Sequence, residues 1–257
     1  CKLFNKLFFM LTIAQITDTH LFADPNSTML EVNTNQTFTQ VVSLLKTISP
    51  KPDIILLTGD LTQDETIASY QFLSDLITPV QIPTYFIPGN HDIPELMDQV
   101  FDHFPFSSDK SFIRENWHII LLSSYTYRSV HGKLSPDSLT WLEQQLHHHS
   151  DRPTLIAIHH HPLPINSQWM DQINLQNPET LINIIDRHPQ VKLLLCGHIH
   201  QEWNYERQKV HYLGCPSTCV QFQQNSHIMI IDPQNPGLRL LQLYSDGTFT
   251  TQIQRVC

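Results

Sequence analysis

Five short polar signatures each follow directly after a run of apolar residues, and they constrain the fold more than any other feature of the sequence. The runs are rich in aliphatic and β-branched residues, which predicts buried strands at residues 11–16, 54–57, 84–87, 155–158 and 192–195. The signatures are Asp18-Thr-His20, Gly59-Asp60, Gly89-Asn-His-Asp92, His159-His-His161 and Gly197-His-Ile-His200. In open α/β sheets, sites assemble at the carboxyl ends of strands, so we expect the five signatures to form one site.

Segments between these runs have the pattern of amphipathic crossover helices. Helices are predicted at residues 34–48, 64–76 and 180–187, and another opens at the Ser135-Pro136-Asp137 cap and continues through Leu146. Further strands are predicted at residues 119–123, 211–222, 227–231 and 238–243, with a hairpin turn at Asp246-Gly247. These elements predict an α/β fold with two packed mixed β-sheets flanked by helices. The length fits one domain over residues 1–257, with residues 1–10 as a disordered or artefactual lead-in.

Composition excludes several classes of function. The net charge is −9 with 15 lysines and arginines, so no basic face is expected to bind nucleic acid. No apolar stretch approaches the roughly 20 residues of a spanning helix, so we expect no membrane segment. Five cysteines do not form a disulfide framework, and no signal peptide is recognised, which favours the cytoplasm.

The first two signatures contain carboxylates suited to metal binding. Asp18 and His20 stand two residues apart, so an extended backbone would direct both side chains to the same side. Gly59 permits a sharp bend that lets the Asp60 carboxylate project from the end of its strand. Asp60 is therefore the natural candidate for a carboxylate that bridges two cations.

The remaining signatures add amide and imidazole groups. The Asn90 amide oxygen can bind a metal, and His91 stands beside it as a group that can reach a substrate. His198 and His200 can bind one ion each or share a pair of ions. Each signature alone also fits a structural role in a turn or at the surface. Turn chemistry does not explain why three of only 7 glycines fall within signatures that end separate apolar runs.

Other histidines and cysteines favour structural interpretations. His147 to His149 end a predicted helix, where imidazole interacts favourably with the helix dipole. Cys215 and Cys219 lack the spacing of a zinc knuckle and are expected to be loop or core thiols. A redox or metal role for these two cysteines is the alternative.

The five signatures, in this order, resemble the calcineurin-like metallophosphoesterases over about residues 11–256. The segments that resemble the bacterial class III 3′,5′-cyclic-AMP phosphodiesterases in particular are residues 15–22, 58–61, 159–164, 195–202 and 216–222. The resemblance implies a four-layer αββα sandwich and a dinuclear hydrolase that carries iron, manganese or other divalent ions. It also implies a cyclic nucleotide as a small-molecule substrate, while the charge and the absence of a long apolar stretch predict no nucleic acid or membrane as partner.

Residue by residue, the resemblance implies two metal sites that share Asp60. The first site would contain Asp18, His20, Asp60 and His200, and the second would contain Asp60, Asn90, His159 and His198. His159 is preferred to His160 because related His-His-Pro-Pro segments use the first histidine. The third position of that segment is His161 where those relatives have proline, so the roles of His160 and His161 stay open.

The expected reaction is hydrolysis of cyclic AMP to 5′-AMP by attack of a metal-bound hydroxide. His91 and Asn90 are the expected catalytic residues, and substrate contacts are expected at His20, Asp60, Asn90 and His91. Phe22, Trp169 and residues 215–222 are candidates for lining an adenine pocket, with packing as the alternative. The alternative functions are hydrolysis of glycerophosphodiesters or 2′,3′-cyclic nucleotides, or a non-catalytic scaffold.

Overall fold

The computed structural model describes residues 10–257, so the expected lead-in lies outside the described residues except for Met10, which begins the first strand. Its strands are β1 (Met10–Ile16), β2 (Ile54–Leu57), β3 (Thr84–Phe86), β4 (Phe106–Ser107), β5 (Ser111–Arg114), β6 (Trp117–Leu122), β7 (Thr154–Ile158), β8 (Val191–Cys196), β9 (Trp203–Arg207), β10 (Val210–Gly214), β11 (Gln221–Phe222), β12 (Ile231–Asp232), β13 (Gly237–Tyr244) and β14 (Phe249–Arg255). Its helices are α1 (Thr34–Thr47), α2 (Ile67–Ile77), α3 (Pro94–Val100), α4 (Pro136–His148), α5 (Gln168–Asp171) and α6 (Pro178–Arg187).

Two six-stranded mixed sheets form the centre of the molecule. The first has the order β14-β13-β1-β2-β3-β4, with β1 to β4 parallel and β13 antiparallel to β1. The second has the order β5-β6-β7-β8-β10-β9, with parallel strands inside and antiparallel strands at both edges. Parallel neighbours have their carboxyl ends at the same edge, so the polar residues after β1, β2 and β3 come together.

Side-chain alternation along the strands produces a four-layer αββα sandwich. Leu11 and Ile13 of β1 pack with Leu155 of β7 and Leu193 of β8 in a core between the two sheets. The opposite face of the first sheet, with Ile16, packs against α1 to α3, and the opposite face of the second packs against α4 to α6. Strand side chains alternate between faces, so the strands are buried on both sides, as their continuous apolar sequence predicts.

The helix starts confirm the expected cap of α4 and correct two boundaries, one of which is the start of α6 at Pro178 and not at residue 180. Ser135 accepts a hydrogen bond from the Ser138 backbone N–H at the start of α4, and Pro136 is in the first turn. The second helix begins at Ile67 and not at residue 64, because Thr66 is its cap and accepts a hydrogen bond from the Ser69 N–H. Within residues 10–257, no helix is long and apolar enough to cross a membrane.

The prediction was wrong for two segments after residue 210. The expected strand at 211–222 is two short strands, β10 and β11, separated by a buried loop at residues 215–220. The expected strand at 227–231 contains only Ile231 in strand conformation, and residues 228–231 are exposed. An apolar run indicates a strand only where a neighbouring strand pairs with it, and that pairing is a tertiary property.

Candidate metal centre

The five signatures meet where the carboxyl ends of the two sheets lie side by side. The first sheet supplies Asp18 and His20 after β1, and Asp60 after β2. The second supplies His159 after β7, and His198 and His200 after β8. All six of these residues are buried, whereas Asn90 and His91, which follow β3, are partly exposed at the entrance. The structure therefore brings together every residue that the sequence assigned to the site.

Asp60 occupies the centre of this group. Its Oδ2 atom lies 3.7 Å from His20 Nε2 and 3.3 Å from His159 Nε2, so one carboxylate oxygen stands between imidazoles of the two predicted metal sites. Its Oδ1 atom accepts a hydrogen bond of 2.8 Å from the His91 backbone N–H. This hydrogen bond fixes the orientation of the carboxylate and attaches the β3 loop to it.

The first predicted site has ring nitrogens that converge. His200 Nε2 lies 3.2 Å from His20 Nε2 and 3.4 Å from Asp18 Oδ1. The other ring nitrogens are engaged outside the site, since His20 Nδ1 donates to Gln63 Oε1 (2.7 Å) and His200 Nδ1 donates to the Val220 carbonyl (2.8 Å). Such outer hydrogen bonds fix the tautomer and leave Nε2 as the nitrogen that can bind a metal.

The second predicted site contains a buried amide oxygen without a hydrogen-bond partner. His159 Nδ1 donates to the Thr58 carbonyl (2.8 Å) and its Nε2 atom faces Asp60 Oδ2 at 3.3 Å, while the Asn90 Oδ1 atom is buried and makes no hydrogen bond. His198 donates from Nε2 to the Ile173 carbonyl (3.0 Å), which leaves Nδ1 for a metal. A buried oxygen lone pair without a donor is costly, and a cation would satisfy it, so these residues fit a metal ion.

The backbone that directs these side chains is left-handed and not extended, which corrects the expectation for Asp18 and His20. Their φ angles are 53° and 44°, and Asp60, His198 and His200 have φ angles of 52°, 68° and 49°. The Asp18 N–H donates to the Gly59 carbonyl (2.9 Å). Non-glycine residues rarely adopt positive φ, and such conformations cluster at functional sites, where surrounding contacts hold them.

Two glycines permit the close packing of the loops. Gly59 has a φ of +95°, which side chains rarely adopt, so the predicted sharp bend before Asp60 is present. A Cβ atom on Gly89 would lie 2.2 Å from Asp60 Oδ1 and 2.4 Å from Asp60 N. The β3 loop therefore approaches Asp60 at a distance that only glycine allows.

Charge in the site is balanced between carboxylates and imidazoles. Burial by itself would raise the pKa of Asp60, but His159 and His20 outweigh burial and hold the pKa of Asp60 well below its usual range. Burial would likewise lower the pKa of His159, but Asp60 and Asp18 raise it to about 9. The pKa of His200 is raised well above its usual value, because Asp18 outweighs burial. In the metal-free chain, imidazolium groups thus occupy the electrostatic position that cations would take.

Asp92 belongs to the third signature, but no role was predicted for it from the sequence. Its carboxyl group is buried and accepts hydrogen bonds from Gly89 N–H (2.9 Å), Leu61 N–H (3.0 Å) and the Tyr70 hydroxyl (3.0 Å). It therefore ties the β2 and β3 loops to each other and to α2. The sequence signal that could have identified Asp92 was its position two residues after Asn90. No sequence signal pointed to Gln63, which contacts His20, or to Tyr70.

Cys219 and the aromatic candidates lie around the first predicted site. Cys219 is buried, as expected, and its ligand atom belongs with those of His20 and His200 to a group within 4.8 Å of one another. Phe222 stacks on the His200 ring at a centroid distance of 4.5 Å, and the Trp169 ring stands edge-on to Phe222 at 5.0 Å. These contacts give both aromatics a packing role beside the site.

Sequence comparisons with known proteins find one family over most of the chain. A model of the calcineurin-like phosphoesterase family matches residues 11–202. The chain is 48% identical to a 3′,5′-cyclic-nucleotide phosphodiesterase of Nostoc sp., over 96% of this chain and 92% of the relative. It is 41% identical to the 3′,5′-cyclic adenosine monophosphate phosphodiesterase CpdA of Escherichia coli K12, over 95% of this chain and 89% of the relative.

Solved structures support the same fold. A dimetal phosphatase from Danio rerio superposes with a TM-score of 0.67 and 13% identity, over 96% of this chain and 99% of that chain. A purple acid phosphatase from yellow lupin superposes with a TM-score of 0.63 and 13% identity, over 96% of this chain and 54% of that chain. Together with the family match and the curated relatives, these likenesses show that the chain belongs to the calcineurin-like phosphoesterase family.

Proposed function

We propose that this protein is a phosphodiesterase that opens 3′,5′-cyclic AMP to 5′-AMP with the help of two metal ions. The curated relatives at 41% and 48% identity, which are named for cyclic-nucleotide phosphodiesterase activity, support the substrate class. The observation that carries the metal assignment is Asp60 Oδ2, which stands between His20 Nε2 and His159 Nε2.

The proposed first site consists of Asp18, His20, Asp60 and His200, and the proposed second site consists of Asp60, Asn90, His159 and His198. When bound, two cations polarise the phosphoryl oxygens and lower the pKa of a water molecule. The mixture of carboxylate, amide and imidazole donors accepts several metals, and iron and manganese are the proposed ones because the family resemblance implies them. The cluster Asp18, Asp60 and His159, whose ligand atoms lie within 4.8 Å of one another, supports adjacent sites.

His91 and Asn90 are the proposed catalytic residues. Both are partly exposed beside the buried ligands, and the His91 ring meets the His20 ring edge-on at 5.0 Å. In the reaction, water adds a hydroxyl to phosphorus, the bond from phosphorus to O3′ breaks, and O3′ gains a proton. In this proposal His91 donates that proton, and the Asn90 amide donates a hydrogen bond to a non-bridging oxygen.

Release of 5′-AMP from cyclic AMP by metal-loaded protein tests the proposal. Bis(p-nitrophenyl) phosphate, glycerophosphodiesters and 2′,3′-cyclic AMP at equal concentrations are the comparison substrates. Preferred turnover of 3′,5′-cyclic AMP supports the proposal, whereas turnover of the other diesters alone would refute the substrate and retain the metal site. A chain that binds two metals and hydrolyses none of them would be a scaffold.

A further inference from the structure

His160 is buried beside the second proposed metal site, and one of its ring nitrogens has no partner. The side chain has 0% exposure, and Nε2 makes no hydrogen bond. Its Nδ1 atom lies 2.8 Å from the Ser124 hydroxyl oxygen. Since Nδ1 is engaged by Ser124, Nε2 is the ring nitrogen of His160 that is available to a metal ion.

Two contacts fix the His160 ring in this orientation. Ser124 contacts the ring and also accepts a weak hydrogen bond (3.4 Å) from the His160 backbone N–H. A Cβ atom on Gly132 would lie 2.4 Å from His160 Cγ and Nδ1, so the chain at Gly132 packs directly against the ring. The ring therefore has little freedom to turn its open nitrogen elsewhere.

His160 belongs to a compact group of three imidazoles. Ligand atoms of His159, His160 and His198 lie within 4.8 Å of one another, and all three residues are buried. The His160 ring centroid lies 4.8 Å from that of His159 and 4.6 Å from that of His198. Two nitrogens bound at about 2.1 Å to adjacent positions of one ion are about 3.0–3.4 Å apart, so small side-chain movements would bring the group onto one cation.

We propose that His160 Nε2 is a further ligand of the second metal ion, which the family pattern assigns to Asp60, Asn90, His159 and His198. This assignment rests on the two-metal site proposed above. It makes the second site rich in imidazole, while the first combines two imidazoles with two carboxylates. Imidazole favours zinc, copper, iron and nickel, whereas carboxylate suits magnesium and manganese, so the second site should discriminate more strongly against magnesium than the first.

Cobalt binding by the purified full chain tests the assignment without using activity. The metal-free wild type, H160Q and H161Q proteins are titrated with Co²⁺, and bound cobalt and its visible d–d spectrum are measured. The wild type should bind two ions per chain. H160Q should bind the second ion about 10- to 100-fold more weakly and lose part of the spectrum. H161Q removes the adjacent buried imidazole, which lies outside the three-imidazole group, and should keep two ions.

A milder variant tests the assignment if H160Q fails to fold. S124A removes the hydroxyl that contacts His160 Nδ1 and leaves the imidazole in place, so it should weaken the second ion about tenfold. If H160Q binds two ions with unchanged affinities and spectrum, the assignment is wrong. If that variant also loses cyclic-AMP turnover while its metal binding is unchanged, His160 would be a substrate contact instead. A wild-type chain that binds only one ion would instead overturn the two-metal site itself.

Discussion

Replacement of Gly89 by alanine tests whether close approach of the β3 loop to Asp60 is needed for function. The added Cβ would lie 2.4 Å from Asp60 N and 2.7 Å from His159 Cε1. Ordinary contacts begin near 3.4 Å, so the loop or the Asp60 backbone must move by about 1 Å (3.4 − 2.4). The change therefore displaces Asn90 and His91 relative to the carboxylate that connects the two proposed metals.

The size of the effect follows from this displacement. A misplacement of about 1 Å in a catalytic site costs about 100-fold in rate, so kcat/KM for cyclic AMP should fall about 100-fold. Overpacking of a buried position costs about 1–3 kcal/mol, so the free energy of unfolding should also fall. The measurements are kcat/KM with cyclic AMP, metal content per chain and the urea unfolding midpoint.

Gly247→Ala is the matched control. Gly247 has a φ of +87° in the turn between β13 and β14, and the strand pair Met10 and Tyr244 places that turn at the end of β1 opposite the site. This variant should lose about 1–2 kcal/mol of stability and keep the wild-type kcat/KM. If Gly89→Ala keeps two metals and kcat/KM within about threefold of the wild type, the close approach is not required and our reasoning fails.

Three further predictions concern the metals and the proton donor. His91→Ala should lower kcat about 100- to 10,000-fold with two metals retained, and loss of a metal in that variant would make His91 a ligand. Asp60→Asn should reduce bound metal below two ions per chain, measured by elemental analysis, and a variant that still holds two would remove the bridging role. Metal binding at pH 7.5 should release protons, because His159, with a pKa of about 9, and His200 are protonated in the metal-free chain. Metal affinity should therefore rise with pH up to about 9, and calorimetric heats that are equal in buffers of different ionisation enthalpy would contradict this.

The strands that carry the site could be predicted from the sequence because they are buried on both faces. Their sequences are continuous apolar runs, and the observed bounds of β1, β2 and β7 differ from the predicted ones by no more than one residue. The run at residues 228–231 has a similar composition but is exposed. The local sequence does not distinguish this exposed segment from a buried strand, because the outcome depends on whether another strand is available to pair with it. The single-domain assignment for residues 1–257 stays a prediction.

The grouping of the candidate-site side chains at one place could be predicted, but the backbone conformation that directs them could not. Spacing indicated that Asp18 and His20 act together, and the structure places both beside His200. The explanation by extended backbone was wrong, since both residues are left-handed. Contacts such as the hydrogen bond from the Asp18 N–H to the Gly59 carbonyl hold the positive φ of Asp18. Gly59 follows a different strand, β2, so the sequence around Asp18 contains no signal of this contact.

The site spans the boundary between the two sheets, which links metal binding to the packing of the fold. Asp60 of the first sheet faces His159 of the second at 3.3 Å, and Asp18 accepts hydrogen bonds of 3.0 Å from the His198 backbone N–H. Neither sheet alone contains the donors for either proposed ion. The core between the sheets therefore sets the distance between the ligands, and metals that bind only the folded chain stabilise that packing in return. The two-sheet architecture is thus a requirement of the proposed chemistry.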